Sequence, residues 1–405
     1  MKVLVIAEDL RVSGTSEGQV SRSFVFNLSR HPRITTVDLL YFKCNVENHF
    51  LEKLGVQNSW IFLTPNLNGS IFRFFEKICH KLLGKSIIDN YKINWMKNKF
   101  RSFDFSPYDR IFIRSTGQSF WAIRASSALN GYEKKTVLYF HDPYPVFWDP
   151  GFFGKLSKIG LNSFLEMRSI VNRGFMLTTP SNYLSKDMRF LYGSKVSFVT
   201  IPHQFVPEVF DFPEEVFLKD VEDKIVVMYH GAIQLGRTLD SFLEAFKSLL
   251  EENSLFEEKV ILILRIKDGK DLPLKSKYKD IRNIRFLDQV NAGVAYKEIY
   301  QYSDVNLVLE PSGSYSNILV GKAPLLASLN RPVLVLGPDD SELKYLLKDK
   351  NQFARAISTE EIKLKLKLII DDIVINGKGN KDPFNGYFSI ENYFNLLESV
   401  LPKDI

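Results

Sequence analysis

The sequence predicts an α/β protein built from two doubly wound parallel-sheet domains that face each other across an interdomain cleft. Three observations predict it. Short apolar runs alternate with helical stretches through residues 1–205, a segment rich in acids and proline interrupts them at 206–224, and the same alternation restarts at 225 and continues to 385. Alternating strands and helices make a parallel sheet covered on both faces. Ligands of such sheets bind outside the carboxyl ends of the strands.

The first strand is "KVLVIAE", followed by "GTSEGQVSRSFVFNLSRH", in which Val20, Phe24 and Leu28 share one helical face. "TTVDLLYF", "RIFIRS", "TVLYFH", "FMLTTP" and "SFVTIP" read as further strands of the same domain. "VPEVFDFPEEVFLKDVEDK" holds two prolines and seven acids and reads as a linker. In the second domain "IVVMYHGAI", "KVILILRI", "IRFLDQV", "VNLVLEP" and "PVLVLG" read as strands. "LDSFLEAFKSLLEE", "AYKEIYQYS" and "NILVGKAPLLASLN" read as helices. Residues 386–405 carry "YFSIENYFNLLESVL", with Phe394, Leu397 and Val400 on one side, and are expected to form a closing helix.

With 405 residues the chain is too long for one ordinary core. Its 45% apolar and 25% charged residues are those of a globular protein, and no apolar run reaches the roughly 18 residues of a spanning helix. The start "MKVLVIAEDL" is too short in its apolar run for a signal peptide, so a cytoplasmic protein is expected. Two cysteines, Cys44 and Cys79, and six scattered histidines support neither a disulfide framework nor a zinc site. The net charge of +6 is uneven. Between Ser70 and Arg101, Arg73, Lys77, Lys81, Lys85, Lys92, Lys97, Lys99 and Arg101 face only Glu76 and Asp89, with Ile71, Phe74, Phe75, Ile78, Leu82 and Leu83 interleaved at helical spacing. Two readings fit: a solvated helix on a core, or contact with an anionic membrane surface. No nucleic-acid module is visible.

Several loops carry anion-binding or proton-handling chemistry. After the first strand, Gly14 and Gly18 permit a close backbone approach, Thr15 lies between them, and Ser16 and Gln19 have capping-box spacing. The glycine spacing is neither a dinucleotide fingerprint nor a Lys-containing phosphate loop. In "HGAIQLGRTLD", Gly231 follows a strand and Arg237 stands before a helix, where a guanidinium and a helix start would act on one diphosphate. Ser312, Ser314, Ser316 and Asn317 lie between a strand end and a predicted helix, with Lys322 one turn in. Hydroxyls, amides and a helix start there would suit phosphate oxygens. His141 and Asp142 stand at the carboxyl end of a first-domain strand, where an imidazole would bond a hydroxyl or carry a proton, with Tyr144, Phe147 and Trp148 nearby. No G-x-S-x-G elbow and no singled-out carboxylate pair supports a hydrolase.

The order of these features resembles the GT-B glycosyltransferases, in particular the retaining, nucleotide-sugar-dependent, family-four-like group with Rossmann-like domains. "RVSGTSEG" resembles its glycine-containing first loop, "TTPSNYLSKDM" a serine turn after a later strand, and "VTIPHQF" the segment before the linker. "YHGAIQLGRTLDSFLEAF" is similar to the first strand, phosphate turn and helix of the donor domain. "IRFLDQVNAGVAYKEIYQYSDVNLVLEPS" and "KAPLLASLNRPVLV" are similar to the segments around the donor loop.

The resemblance implies an acceptor-binding domain at 1–205 and a donor-binding domain at 225–385. Arg237, Gly231, Ser312, Ser314, Ser316, Asn317, Lys322 and Glu310 would bind the donor, His141 would contact the transferred sugar, and Gly14, Thr15 and Asp142 would belong to an acceptor or sugar loop. It implies no metal and no cofactor besides the nucleotide-sugar co-substrate. The acceptor would be a saccharide or lipid-linked saccharide in bacterial-type surface polysaccharide or glycoconjugate synthesis, at the inner face of the membrane.

The sequence also departs from that pattern. Two glutamates with seven residues between them are replaced by Asn317 and Leu325, the Gly before Pro-Val by Asn330, and an Arg of the first donor turn by Ala232. Loss of a ribose carboxylate removes a charge-assisted hydrogen bond worth about 2 kcal/mol. Glu310 is either a substitute carboxylate or a solvent-facing residue. The alternatives are a binding or assembly subunit without transfer activity, and an epimerase or phosphorylase of the same architecture.

Overall fold

A computed structural model describes residues 1–403 except 13–14, 68, 117–118, 146–156, 194, 214, 235, 268, 270–271 and 378–381, and omits the side chains of residues 70 and 71. Two compact units emerge, one running to Val209 and taking up the chain again from Ser389, the other formed by Phe210–Phe388.

In the first unit, β1 (Lys2–Ala7), β2 (Thr36–Lys43), β3 (Ser59–Leu63), β4 (Arg110–Arg114), β5 (Thr136–Tyr139), β6 (Met176–Thr179) and β7 (Phe198–Thr200) form one parallel sheet. Its strand order is β3, β2, β1, β4, β5, β6, β7. Helices α1 (Ser16–Ser29), α2 (Ser70–Leu83), α3 (Ile87–Ser102), α4 (Trp121–Ala125), α5 (Lys158–Val171) and α6 (Asn182–Tyr192) connect the strands. Val3 to Ala7 are all buried, as expected of a central parallel strand covered on both faces. The helix after β1 starts with Thr15 as its cap, which accepts from the Gly18 amide at 3.3 Å, rather than with Ser16. The threonine wins that place because its hydroxyl also donates to Asp9 at 2.6 Å, which anchors the cap to the end of β1.

The second unit has β8 (Ile225–Ala232), β9 (Val260–Lys267), β10 (Ile284–Phe286), β11 (Val305–Leu309), β13 (Val333–Gly337) and β15 (Phe353–Arg355) in a parallel sheet of order β10, β9, β8, β11, β13, β15. A separate parallel pair joins β12 (Tyr315–Ser316) to β14 (Asp340–Ser341). Its helices are α7 (Asp240–Glu252), α8 (Ser254–Lys259), α9 (Leu272–Tyr278), α10 (Ala292–Tyr302), α11 (Ala323–Ser328), α12 (Glu342–Leu346) and α13 (Thr359–Asn376). The chain then returns to the first unit, where α14 (Ile390–Leu397) places Tyr393 edge-on to Phe24 of α1.

The chain is therefore an α/β protein with two Rossmann-like parallel-sheet domains. In each sheet the strand order reverses beside the first strand, between β1 and β4 and between β8 and β11. Loops leaving these neighbours in opposite directions open a crevice at the carboxyl ends. No helix among the described residues is long and apolar enough to cross a membrane.

One predicted helix is much shorter than its sequence suggests. "NILVGKAPLLASLN" forms a helix only over Ala323–Ser328, seven residues beyond Ser316. The Ser316 backbone is drawn into pairing with Ser341 instead, and Pro324 suits only the first turn of a helix. Lys322 is the residue that caps this helix rather than one inside it.

Candidate functional site

The switch point of the second sheet collects most of the predicted anion-binding residues. Gly231 lies at the end of β8 and Glu310 directly after β11. Ser312 fastens the two following loops together, since its amide and its hydroxyl both donate to the Gly236 carbonyl, at 3.0 and 2.6 Å. Its hydroxyl proton is thereby spent on holding the turn that carries Arg237.

Lys322 reaches into this corner. A Cβ on Gly231 would lie 3.0 Å from Lys322 Nζ and 2.9 Å from the Tyr229 hydroxyl. Glycine is what leaves room for the ammonium. The same ammonium stands 5.4 Å from the Tyr229 ring centroid. Burial, and next the Arg237 charge, push the Lys322 ammonium down to about 7. Neither Lys322 nor Arg237 forms an ion pair among the described residues, and Arg237 Nε is buried without a hydrogen-bond partner.

Glu310 senses the Arg237 charge and does little to neutralise it. It is 1% exposed, and neither carboxyl oxygen finds a hydrogen bond of full geometry. Burial raises it to about 8, against weaker opposing effects of Ser341, Arg237 and Ser316. The protonated form therefore prevails at neutral pH. Gly337 lets it fit, because a Cβ there would lie 2.4 Å from Glu310 Oε2. Of its two readings from sequence, the solvent-facing one is excluded by this burial.

Ser316 and Asn317 are buried, whereas Ser314 is exposed. Leu325, the position of the second missing acid, is buried in α11. Behind the corner, His230 lies with Nε2 3.4 Å from Glu298, whose two oxygens each accept from Arg265 at 2.7 Å. Burial, then Lys322 and Arg265, hold His230 well below its ordinary value. The result is a corner in which Lys322 and Arg237 have no carboxylate partner among the described residues, with hydrogen-bonding side chains around them. Cations and hydroxyls in such an arrangement are chemically suited to an anion carrying several acceptor oxygens.

A second polar cluster belongs to the first unit. His141 is buried two residues beyond the end of β5, its amide donating to Ser115 Oγ at 3.0 Å. Its ring stacks on His203 at 5.3 Å, and its Nε2 lies 3.5 Å from Ser21 Oγ. Ser21 in turn accepts from Arg114 Nε at 3.1 Å. The Arg114 guanidinium is buried between the rings of Phe24 and Tyr139, 4.1 Å from each centroid. Burial, Arg114 and His203 together hold His141 well below 6.5, and burial with Arg114 lowers His203 to about 3. Both imidazoles are neutral at physiological pH. His141 Nδ1 and Arg114 Nη1 have no hydrogen-bond partner among the described residues.

Thr15 is tied to Asp9, which also forms an ion pair with Arg11 at 2.7 Å. Asp142 is partly buried beside His141, and Tyr144 is buried. Gly14, Phe147 and Trp148 lie outside the described residues. Arg114, His203, Tyr229 and Ser341 were not singled out from sequence. Arg114 did leave a signal, as an arginine inside the apolar strand "RIFIRS".

No protein-family model and no curated protein matches the sequence. Solved structures do match over the whole chain. An Anabaena protein, HepE, in complex with UDP and glucose is 12% identical with a TM-score of 0.61, covering 100% of both chains. The trehalose-6-phosphate structure from E. coli bound with UDP-2-fluoro glucose is 11% identical with a TM-score of 0.64, again over 100% of both chains. A UDP-GlcNAc 2-epimerase from Neisseria meningitidis bound to UDP-GlcNAc is 13% identical with a TM-score of 0.56 and the same coverage. These neighbours are GT-B glycosyltransferases and epimerases of GT-B-like fold, so the likeness establishes that fold.

Proposed function

We propose that the chain is a sugar-nucleotide enzyme, and specifically a glycosyltransferase that takes a sugar from a nucleoside diphosphate sugar. The observation that carries this reading is the placement of Lys322 and Arg237, without ion-pair partners among the described residues, beside Gly231 at the sheet's switch point. A diphosphate leaving group gathers negative charge as its bond to the sugar breaks. Fixed cations at that place stabilise this charge more in the transition state than in the ground state. The two side chains supply what a divalent metal would otherwise supply, which supports a metal-independent reaction. The solved neighbours that hold UDP or UDP-sugars point to uracil as the first base to try.

The first unit would take the acceptor, a saccharide or lipid-linked saccharide of surface polysaccharide or glycoconjugate synthesis, with neutral His141 as its polar contact. Retention of configuration follows from the resemblance to the family-four-like group. Asn317 and Leu325, in place of two acids, support a second reading, a binding subunit that holds the nucleotide but transfers nothing.

Product analysis separates the readings. Incubation with UDP-glucose and with UDP-GlcNAc should release UDP slowly, and faster with an added saccharide acceptor. An isomerised sugar nucleotide without UDP release would make the chain an epimerase. Binding without any turnover across nucleoside diphosphate sugars would make it a binding subunit.

A further inference from the structure

An ordinary surface helix turns its apolar stripe to the core and its charges to water. Helix α2 instead leaves its apolar residues in water together with its charges. None of its described residues is buried, and Phe72, Phe74, Phe75, Ile78, Leu82 and Leu83 are all exposed, Phe74 and Leu82 by more than 60%. Polar groups hold the helix in place instead. Glu76 accepts from the amides of Ile87 and Ile88 at 2.8 and 3.2 Å and thereby caps α3. At the other end Lys158 Nζ donates to the Leu82 carbonyl at 2.7 Å, and Asn162 donates to the carbonyls of Leu83 and Gly84.

The outer surface is ordered in rows four residues apart. Phe74, Ile78 and Leu82 make one row, and Arg73, Lys77 and Lys81 make the next. The only acid of the helix, Glu76, is turned inward by its capping role. A ridge of aromatic and aliphatic groups remains facing outward, flanked on one side by Arg73, Lys77 and Lys81.

We infer that α2 is a docking element for an anionic lipid bilayer, lying flat at the level of the headgroups. Its 14 residues span about 21 Å, too short to cross a bilayer. The phenylalanines would enter the acyl boundary while Arg73, Lys77 and Lys81 meet lipid phosphates. Charge complementarity selects this occupant. A second copy paired antiparallel through the same ridge would bring like-charged rows together, which opposes association. This inference is independent of the nucleotide site, since neither unit's polar cluster includes α2.

The test is cosedimentation of the full chain with phosphatidylcholine vesicles, with and without phosphatidylglycerol, at low and high salt. The expected result is binding to the anionic vesicles at low salt, weakened by salt and absent with phosphatidylcholine alone. Phe74→Glu with Phe75→Glu, and separately Lys77→Glu with Lys81→Glu, should each weaken binding at least about tenfold. Thermal melting should be unchanged in both, because the altered side chains are exposed. A wild-type protein that stays in the supernatant with anionic vesicles at low salt overturns the inference, as does binding that neither pair alters. A dimer in solution that Phe74→Glu with Phe75→Glu converts to monomer would assign the ridge to a second copy instead.

Discussion

The Lys322 ammonium occupies space that any side chain at position 231 would enter, 3.0 Å from where a Cβ on Gly231 would stand. Both atoms that such a Cβ would meet, Lys322 Nζ and the Tyr229 hydroxyl, are ends of side chains that can move. Gly231→Ala should therefore fold, with a melting temperature within a few degrees of wild type, but with its ammonium displaced. Nucleoside diphosphate affinity should fall about tenfold, equivalent to about 1.4 kcal/mol. Unchanged affinity in calorimetric titration would show that Lys322 is not part of the site.

Anion binding should carry a proton with it. The Lys322 ammonium is held down at about 7, so a large fraction of it is neutral slightly above neutral pH. A bound diphosphate favours the charged form and restores the missing proton. Glu310, raised to about 8, is pushed further up by the same anion and adds to the uptake. Titrations at about pH 8 in buffers of different ionisation enthalpy should give buffer-dependent heats with the sign of proton uptake. Lys322→Arg should reduce that uptake while keeping a cation in place. Heats independent of buffer would contradict the assigned protonation.

Glu310 also links stability to pH. Its folded value of about 8 stands above its ordinary 4.5, so its contribution is complete below 4.5 and is lost as pH rises through 8. The slope is at most about 1.4 kcal/mol per pH unit for one group. Glu8, raised to about 8 by burial, acts in the same direction, while the histidines buried neutral act oppositely below about 6.5. The difference between wild type and Glu310→Gln isolates the one carboxyl. Relative to wild type, the variant should gain stability between about pH 5 and 7 in thermal melts. Parallel curves would place Glu310 in a more polar setting than its burial indicates.

The histidine pair in the first unit should be silent in the physiological range. Burial and the Arg114 charge keep both His141 and His203 neutral. In histidine NMR titrations neither ring should change state between about pH 5 and 8. Arg114→Met should raise both values by removing the positive neighbour. A His141 transition near 6.5 in the wild type would overturn this description and restore a proton-carrying role for that ring.

Both sheets were legible because buried parallel strands read as runs of Val, Ile and Leu, as in "KVLVIAE" and "KVILILRI". β3 escaped notice because it is an edge strand with four of its five residues exposed, and β15 because Phe353–Arg355 holds no Val, Ile or Leu. The extent of α11 was not legible because nothing local in "SYSN" announces pairing with a strand 25 residues later. Gly231, Arg237 and Lys322 could be found as residue types suited to phosphate, yet their convergence on one corner is a product of the topology. Arg114 and His203 acquire meaning only through contacts across the sheet, with Ser21, Tyr139 and His141.

The corner formed by Gly231, Arg237 and Lys322 is proposed to hold a nucleoside diphosphate. The most direct test is calorimetric titration of the folded wild-type protein and of Arg237→Ala with UDP, without metal, followed by GDP, ADP, CDP and dTDP. Saturable binding of UDP to the wild type is expected, with at least severalfold weaker binding to the variant. Silence from all five nucleotides, or equal affinity in wild type and Arg237→Ala, would contradict this proposal.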